Sequence, residues 1–259
     1  MLFQHPFPGL RYGAHMKLSD FATASEELVA ARALQNRVDT KFVSRVDELE
    51  HLLSFLAQDF SVVACGAALF GRYRNLYFDT DEYRFLREHH RGRRPRFKVR
   101  IRHYMDRNMS ALEVKEKLPN ERTRKFRKPL PFMAEQLSDD HRNFLDEQPR
   151  IDAALLYPSL RVEFSRITLV AKNVDERLTI DTGLRFTCGD RDTVLDTVVI
   201  AEIKQSRFSP RSPGMLALRR SGAMQLRISK YMTGGQLVLP SIRLQRYAPR
   251  LEMLRRRTA

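Results

Sequence analysis

The chain has 259 residues, with 46 Lys and Arg against 31 Asp and Glu, and carries a formal net charge of +15. Hydrophobic residues at 42% and charged residues at 30% exclude a disordered chain and leave enough apolar material for a sizeable core. Two cysteines exclude a disulfide scaffold and make a reducing, cytoplasmic compartment the expectation, while the excess of cations favours polyanionic partners.

Residues 1–19 read as an extension. Gly13-Ala14-His15-Met16 resembles a cloning remnant, so residues 1–15 are expected to be tag-derived, and they hold no apolar stretch of a secretory signal. No apolar run reaches the ~18–20 residues of a membrane-spanning helix. A first helix is predicted over 20–36, opened by Asp20. Next, Arg37-Val38-Asp39-Thr40-Lys41-Phe42-Val43 alternates as a strand, with Arg37, Asp39 and Lys41 on one face. Ser44 then reads as the N-cap of a helix whose stripe is Val46, Leu49, Leu52, Leu53 and Leu56.

Tyr77-Phe78-Asp79-Thr80 ends a strand and enters a turn that Asp79 caps. Arg91–Arg96, containing Gly and Pro, reads as a hairpin loop. Two strands follow, one with Lys98, Arg100 and Arg102 on a face, the other with Glu113, Lys115 and Lys117. Lys125, Arg127 and Lys128 precede Pro129. A helix is predicted over 133–146, strands over 177–181 and 199–204, and a helix from Ser212-Pro213 to Gly222. The tail, 248–259, with Arg255-Arg256-Arg257, is expected to be a disordered basic end.

In these strands one face is apolar and the other carries charges of both signs. Period two alone fits the wet face of an ordinary sheet, or a closed barrel with a charged lumen and helices outside. Three cations spaced ~6.5–7 Å apart on one strand repel each other unless anions interleave. Phosphates repeat on that scale and guanidinium groups bind them in forks. Phosphoryl chemistry also needs a hard cation, and hard cations need carboxylate oxygens. Glu202, mid-strand with Lys204 two residues on, suits a metal ligand beside a phosphate ligand. Histidines and cysteines show no metal-ligand spacing, and neither a glycine-rich phosphate loop nor a nucleophile elbow is present.

Taken in order, Arg37-x-Asp39-x-Lys41-Phe42, Tyr77-Phe78-Asp79-Thr80, Lys98-Val99-Arg100-Ile101-Arg102-x-Tyr104, Leu112-Glu113-x-Lys115, Val162-Glu163-Phe164-Ser165-Arg166, Arg177-Leu178-Thr179-Ile180-Asp181, Ala201-Glu202-Ile203-Lys204 and Ser229-Lys230-Tyr231 resemble the VTC domain, the polyphosphate polymerase domain of the triphosphate tunnel metalloenzymes. The resemblance implies an α+β fold over about residues 20–247: a closed antiparallel eight-stranded tunnel barrel with helices packed outside. It implies that Lys41, Arg100, Arg102, Lys115, Arg166 and Lys230 point inward to phosphates, and that Glu202 holds Mn2+ or Mg2+. Lys128 matches a further phosphate contact, with Arg127 as the alternative.

On that resemblance the substrates are ATP and inorganic polyphosphate, with no nucleic acid. Arg100, Arg102, Lys115 and Arg166 would stabilise the transferring phosphoryl group, and Lys41 and Lys230, with Lys98 and Lys204 beside them, would bind the phosphates. Relatives that hydrolyse triphosphates open with Glu-x-Glu-x-Lys, where this chain has Arg37-x-Asp39-x-Lys41. That departure lowers the alternative of a triphosphatase; a non-catalytic polyphosphate or inositol-phosphate binding module is the other. Arg166 shares the face of Val162 and Phe164, so a bulge or bend is needed to turn it inward, or Arg161 takes its place.

Overall fold

The computed structural model describes residues 18–34, 37–120, 122–239 and 242–258; the tag-like residues 1–15 lie outside that range. Eleven strands are found there: β1 (Val38–Arg45), β2 (Phe60–Val62), β3 (Gly71–Asp79), β4 (Arg96–Tyr104), β5 (Met109–Lys117), β6 (Thr123–Leu130), β7 (Tyr157–Ala171), β8 (Glu176–Cys188), β9 (Arg191–Leu195), β10 (Val198–Gln205) and β11 (Met224–Gln225). The helices are α1 (Glu26–Ala31), α2 (Leu49–Leu56), α3 (Arg84–Arg91), α4 (Asp139–Asp146), α5 (Pro213–Arg220), α6 (Lys230–Val238) and α7 (Ala248–Thr258).

All strands join one antiparallel sheet in the order β11-β1-β10-β8-β7-β3-β4-β5-β6, with β2 on β7 and β9 on β8. The mixed α+β architecture is the one expected. The closed eight-stranded barrel is met only in part, because among the described residues no ladder joins β6 to β1 or β11.

Period-two alternation gives the sheet two faces, and three apolar clusters cover them. Behind β1, β10, β8 and β7, residues Phe42, Ile180 and Ile203 pack on the leucines of α2 and on Met215 and Leu218 of α5. Behind β3, β4 and β5, residues Phe78, Val99 and Val114 pack on Phe85 of α3 and Leu145 of α4. On the opposite, concave face, Val43, Leu160, Val162, Phe164, Phe186 and Ile200 meet Tyr231, Met232 and Val238 of α6. Helix α6 therefore fills one end of the concavity and leaves the other to the charged residues.

Several boundaries differ from the sequence reading. The first helix spans only Glu26–Ala31, because Thr23 is held extended beside Val62 and Ser25 caps the turn that follows. Ser44 is not a helix cap: it lies in β1 opposite Val199, since the β1–β10 ladder runs on to Arg45, and a 3-10 turn (Val46–Glu48) precedes α2. The helix expected over 133–146 begins only at Asp139, where Ser138 accepts from the His141 amide. Arg91–Arg96 is a helix-to-strand connection. Gly92, at φ 71°, ends α3 in the left-handed conformation that lets Arg93 N donate to Glu88 O. The tail is a helix rather than a disordered end. Leu251 and Leu254 are buried three residues apart, and Arg257 Nη2 donates to both oxygens of Glu48 at 2.6 and 2.7 Å.

Candidate functional site

The charged end of the concave face is built from three groups on one plan, a carboxylate shared by two cations. Lys41 and Glu202 are cross-strand neighbours of β1 and β10. Lys41 Nζ donates to Glu202 Oε1, and Lys204 Nζ lies 3.0 Å from Oε2. Arg166 and Asp181 oppose each other on β7 and β8 and are joined by two bonds, Nε to Oδ1 at 2.6 Å and Nη2 to Oδ2 at 2.8 Å. Lys230, the first residue of α6, donates to the same Oδ2. Across β4 and β5, Arg100 donates to Glu113 Oε2 through Nε at 2.9 Å and Nη2 at 2.6 Å. Arg102 Nε is 3.9 Å from that oxygen and 2.7 Å from Asn75 Oδ1.

Each group keeps one positive charge after pairing. Lys98 and Lys115, opposite each other on β4 and β5, add two more, with no carboxylate in ion-pair contact among the described residues. Lys98 Nζ donates instead to Ser229 Oγ, 3.1 Å away at the cap of α6.

The electrostatics follow from burial and this pairing. Burial raises the Glu202 carboxyl, but Lys204 and Lys41 outweigh it and hold the group well below the usual carboxylate range. Burial likewise opposes, and Arg100 and Arg102 overcome, at Glu113; Arg166 and Lys230 do the same at Asp181. All three carboxylates stay ionised. The lysines move the other way. Burial, then the charges of Lys115 and Arg100, push Lys98 well below its ordinary value. Burial lowers Lys115 and Lys204 to about 8 against the attraction of Glu202. Lys115 keeps exposed area, but that surface is set on a cavity wall where neighbouring groups limit its water.

Aromatic rings carry the guanidinium groups. Arg100 donates to Tyr77 Oη at 3.2 Å, and the Arg102 and Arg166 guanidinium carbons each lie 5.3 Å from the Tyr73 ring centre. Tyr77 stacks on Tyr231 at 4.5 Å, and Tyr231 Oη donates to Asp79. Asp79, fully buried, also accepts from the amides of Thr80, Phe85 and Leu86, so it caps α3 as expected and ties that cap to the first turn of α6.

A cavity of about 850 Å³ opens beside these groups. Its walls include Asp39 and Lys41 of β1 and Lys115, Lys117 and Thr123 of β5 and β6, so it spans the gap between the two ends of the sheet. Lys98, Ser229, His90, Arg91, Arg227 and Arg246 are among the residues that line the rest.

Of the residues expected at the site, Lys41, Lys98, Arg100, Arg102, Lys115, Arg166, Glu202, Lys204 and Lys230 are brought onto one face. Lys128 is not. It pairs in register with Leu112 on the far face and donates to Asp140 Oδ1 at 2.6 Å, whereas Arg127, opposite Glu113, has its guanidinium carbon 5.3 Å from the Tyr104 ring centre. At this point of β6 it is Arg127, not Lys128, that lies on the charged face.

Arg166 needs no bend. Its face carries Val162 and Phe164 because those residues meet α6, and it continues into the charged end. The bulge is on the partner strand: Glu163 pairs Arg185 but Ser165 pairs Thr182, and Gly183 at φ 59° takes up the extra residue. Arg161 points to the other face and donates to Glu135 at 2.9 Å. Sequence reading gave no role to Asp181, the most enclosed carboxylate of the three. Its position two and four residues after Thr179 and Arg177 on an alternating strand was the available signal.

Among the described residues no three His, Cys, Asp or Glu side chains converge as a metal-ligand set. Glu202 offers one carboxylate whose two oxygens face two ammonium groups. Such a donor does not fit an all-protein cage. It fits a hard divalent cation in the mode where one or two carboxylates hold the ion and phosphate oxygens and water complete its shell.

The VTC domain profile matches residues 36–239. Among solved structures, a Hippeastrum protein named for an adenylyl cyclase and described with a dominant triphosphatase activity is similar at 16% identity, covering 80% of this chain and 99% of its own, with a TM-score of 0.50. A Bacillus halodurans protein provisionally assigned as an adenylate cyclase is similar at 15% identity over 75% of this chain and 94% of its own, with a TM-score of 0.49. No curated protein matches the sequence. The matched stretch runs from the start of β1 to the end of α6 and holds every member of the three charged groups, and the chain belongs to the VTC domain family.

Proposed function

We propose that this protein is a polyphosphate polymerase that transfers the γ-phosphoryl group of ATP to a growing inorganic polyphosphate chain. The observation that carries the reading is the balance of the site: three carboxylate-centred groups, each with one cation in excess, on the same sheet face as Lys98 and Lys115, with Lys41, Lys98 and Lys115 on the cavity wall. Such a surface binds several consecutive phosphates without a base or sugar to read. The apposed ends of the sheet make the cavity a tunnel on this reading, with a phosphate chain passing between β1 and β5.

The step follows from the chemistry of phosphates. A terminal oxygen of the acceptor chain attacks the γ-phosphorus, the bond to the β–γ bridging oxygen breaks, and ADP leaves. Phosphoryl transfer depends mainly on positioning and on stabilising charge as it spreads over the equatorial oxygens. Arg100, Arg102, Arg166 and Lys115 face that charge. The three guanidinium groups are already aimed by Glu113, Asp181, Asn75 and the tyrosines, so little reorganisation of them accompanies the reaction. Lys41, Lys98, Lys204 and Lys230 hold the flanking phosphates, each lysine exchanging its present partner for a phosphate oxygen. A Mg2+ or Mn2+ ion on Glu202, with Asp39 as the next carboxylate on that wall, would neutralise non-bridging oxygens. On this reading the use of ATP makes the cytoplasm the expected compartment; no helix among the described residues is long and apolar enough to cross a membrane.

A triphosphatase is the second reading, favoured by the activity described for the Hippeastrum protein. Here the first strand supplies only Asp39, and Arg37 Nε holds its Oδ1 at 3.0 Å, which leaves little carboxylate to position a water. Incubation with γ-labelled ATP and Mn2+ decides between them. Labelled chains that lengthen with time, and are lost in Arg100→Ala and Glu202→Ala, support the polymerase; release of free phosphate alone supports the hydrolase.

A further inference from the structure

A second basic pocket, of about 250 Å³, lies next to the large cavity. Arg87, His90 and Arg91 of α3 form one side, and Arg243 and Arg246 form the other. The two cavities share His90, Arg91 and Arg246. At the shared ridge the Arg246 amide donates to His90 Nε2 at 3.0 Å, which fixes the segment after α6 against the end of α3. Arg246 and Arg243 lie beyond residue 239, where the family match stops. Leu244 and Tyr247 are buried between and beside them, so the segment is anchored and its arginines are displayed outward.

The charge of this pocket is not cancelled from within. Arg87 Nε donates to the Glu82 carbonyl at 2.6 Å and Arg243 Nη1 to the Ile242 carbonyl at 3.3 Å, which are neutral acceptors. Among the described residues Arg87, Arg91, Arg243 and Arg246 form no ion pair with a carboxylate. Repulsion among clustered cations is relieved by an anion, and across the shared ridge the pocket continues into the cation-lined cavity. Its lining holds no Phe, Tyr or Trp, and its one ring, His90, is engaged at Nε2 by the Arg246 amide, so it suits phosphates rather than nucleic acid.

We infer that this second pocket, built by Arg87, Arg91, Arg243 and Arg246, is a binding site for the part of a linear phosphate chain that extends out of the large cavity. The inference rests on the proposed reading of the large cavity. It adds a consequence that reading lacks: the protein prefers long chains over short ones because long chains alone reach both pockets. The C-terminal segment is thus a chain-length determinant.

The test is equilibrium binding of two probes, inorganic tripolyphosphate and polyphosphate of several tens of units, to the wild type and to the Arg87→Ala/Arg243→Ala double variant. Both positions are exposed, so folding is retained, and thermal unfolding checks this. The double variant should lose roughly fivefold in affinity for the long chain, two surface ion contacts' worth, and keep its affinity for tripolyphosphate. Equal loss for both probes, or no loss for the long chain, overturns the inference. A single-stranded oligonucleotide that displaces the long chain as well as polyphosphate does also overturns it. Failure of the wild type to bind tripolyphosphate would instead sink the reading of the large cavity, which keeps the two failures distinct.

Discussion

Strands β7, β8 and β10 carry the concave face through two environments. Toward α6 it holds Leu160, Val162 and Phe164, then Leu184 and Phe186, then Val198 and Ile200, all closed off by Tyr231, Met232 and Val238. Two residues further on β7 and β10, and three on β8 because of its bulge at Gly183, it holds Arg166, Glu202 and Asp181. Alternation decides which face a residue takes, but not what covers that face. One end is a core because a helix occupies it. The other keeps its charges because no apolar element among the described residues covers it and because each carboxylate is placed to divide two cations. The first residue of α6, Lys230, joins the two ends: the helix that seals the apolar end delivers a cation to the charged one.

Removing the carboxylate that divides two cations should have the largest effect. Asp181→Asn leaves Arg166 and Lys230 facing each other in a nearly closed setting, and breaking such a pair costs about 3–5 kcal/mol. Denaturant unfolding should show that loss, and added tripolyphosphate should recover part of it by supplying the missing anion. No loss would mean that the charged end does not depend on pairing. Next comes the link between the ends. Tyr231→Phe removes the hydroxyl bonded to Asp79, a hydrogen bond to a charged group worth about 1.5–3 kcal/mol. If that bond positions Lys230 and Tyr77, phosphate affinity falls along with the melting temperature; a fall in stability alone would make it purely structural.

The apolar end is tested by Gly234→Ala. The new Cβ would stand 2.6 Å from Phe186 Cδ1 and 2.8 Å from Leu160 Cδ2. Overpacking of this kind costs about 1–3 kcal/mol, or roughly 2–4 °C per kcal/mol in a domain of this size. Phosphate binding by the folded fraction should be unchanged. The smallest effect is that of pH. Lys115 and Lys204 are lowered from 10.5 to about 8 by burial, so between those values the unfolded chain binds more protons than the folded one. Stability from these two groups therefore rises with pH across that window, while affinity for phosphate falls above pH about 8 because the neutral amines attract no anion. Calorimetric titration near pH 8 should show proton uptake on binding, seen as a dependence on buffer ionisation heat; its absence would mean that both lysines stay charged.

The charged strand faces were legible because period two is a local property: Lys41, Arg100, Lys115 and Glu202 each fall on the expected face of a strand found where expected. What failed depended on partners distant in sequence. Ser44 reads as a cap until β10 extends the ladder past it. Lys128 and Arg127 are separable only by the register with β5, where Glu113 faces Arg127. Arg166 looked misplaced because its apolar neighbours read as core behind the sheet, when they pack against a helix 70 residues later on the concave side. The tail's arginines concealed the Leu251 and Leu254 spacing that docks α7. Closure of the sheet was not legible either, since period two is the same in an open sheet and a barrel.

The central claim is that the charged end of the concave face binds a chain of phosphates while the apolar end only supports it. Calorimetric titration of tripolyphosphate into the wild type, Arg100→Ala and Gly234→Ala tests it most directly. The account predicts that Arg100→Ala weakens binding roughly tenfold or more, the loss of one charged hydrogen-bonding fork, and that folded Gly234→Ala binds as the wild type does. Unchanged affinity in Arg100→Ala, or an equal loss in both variants, would contradict it.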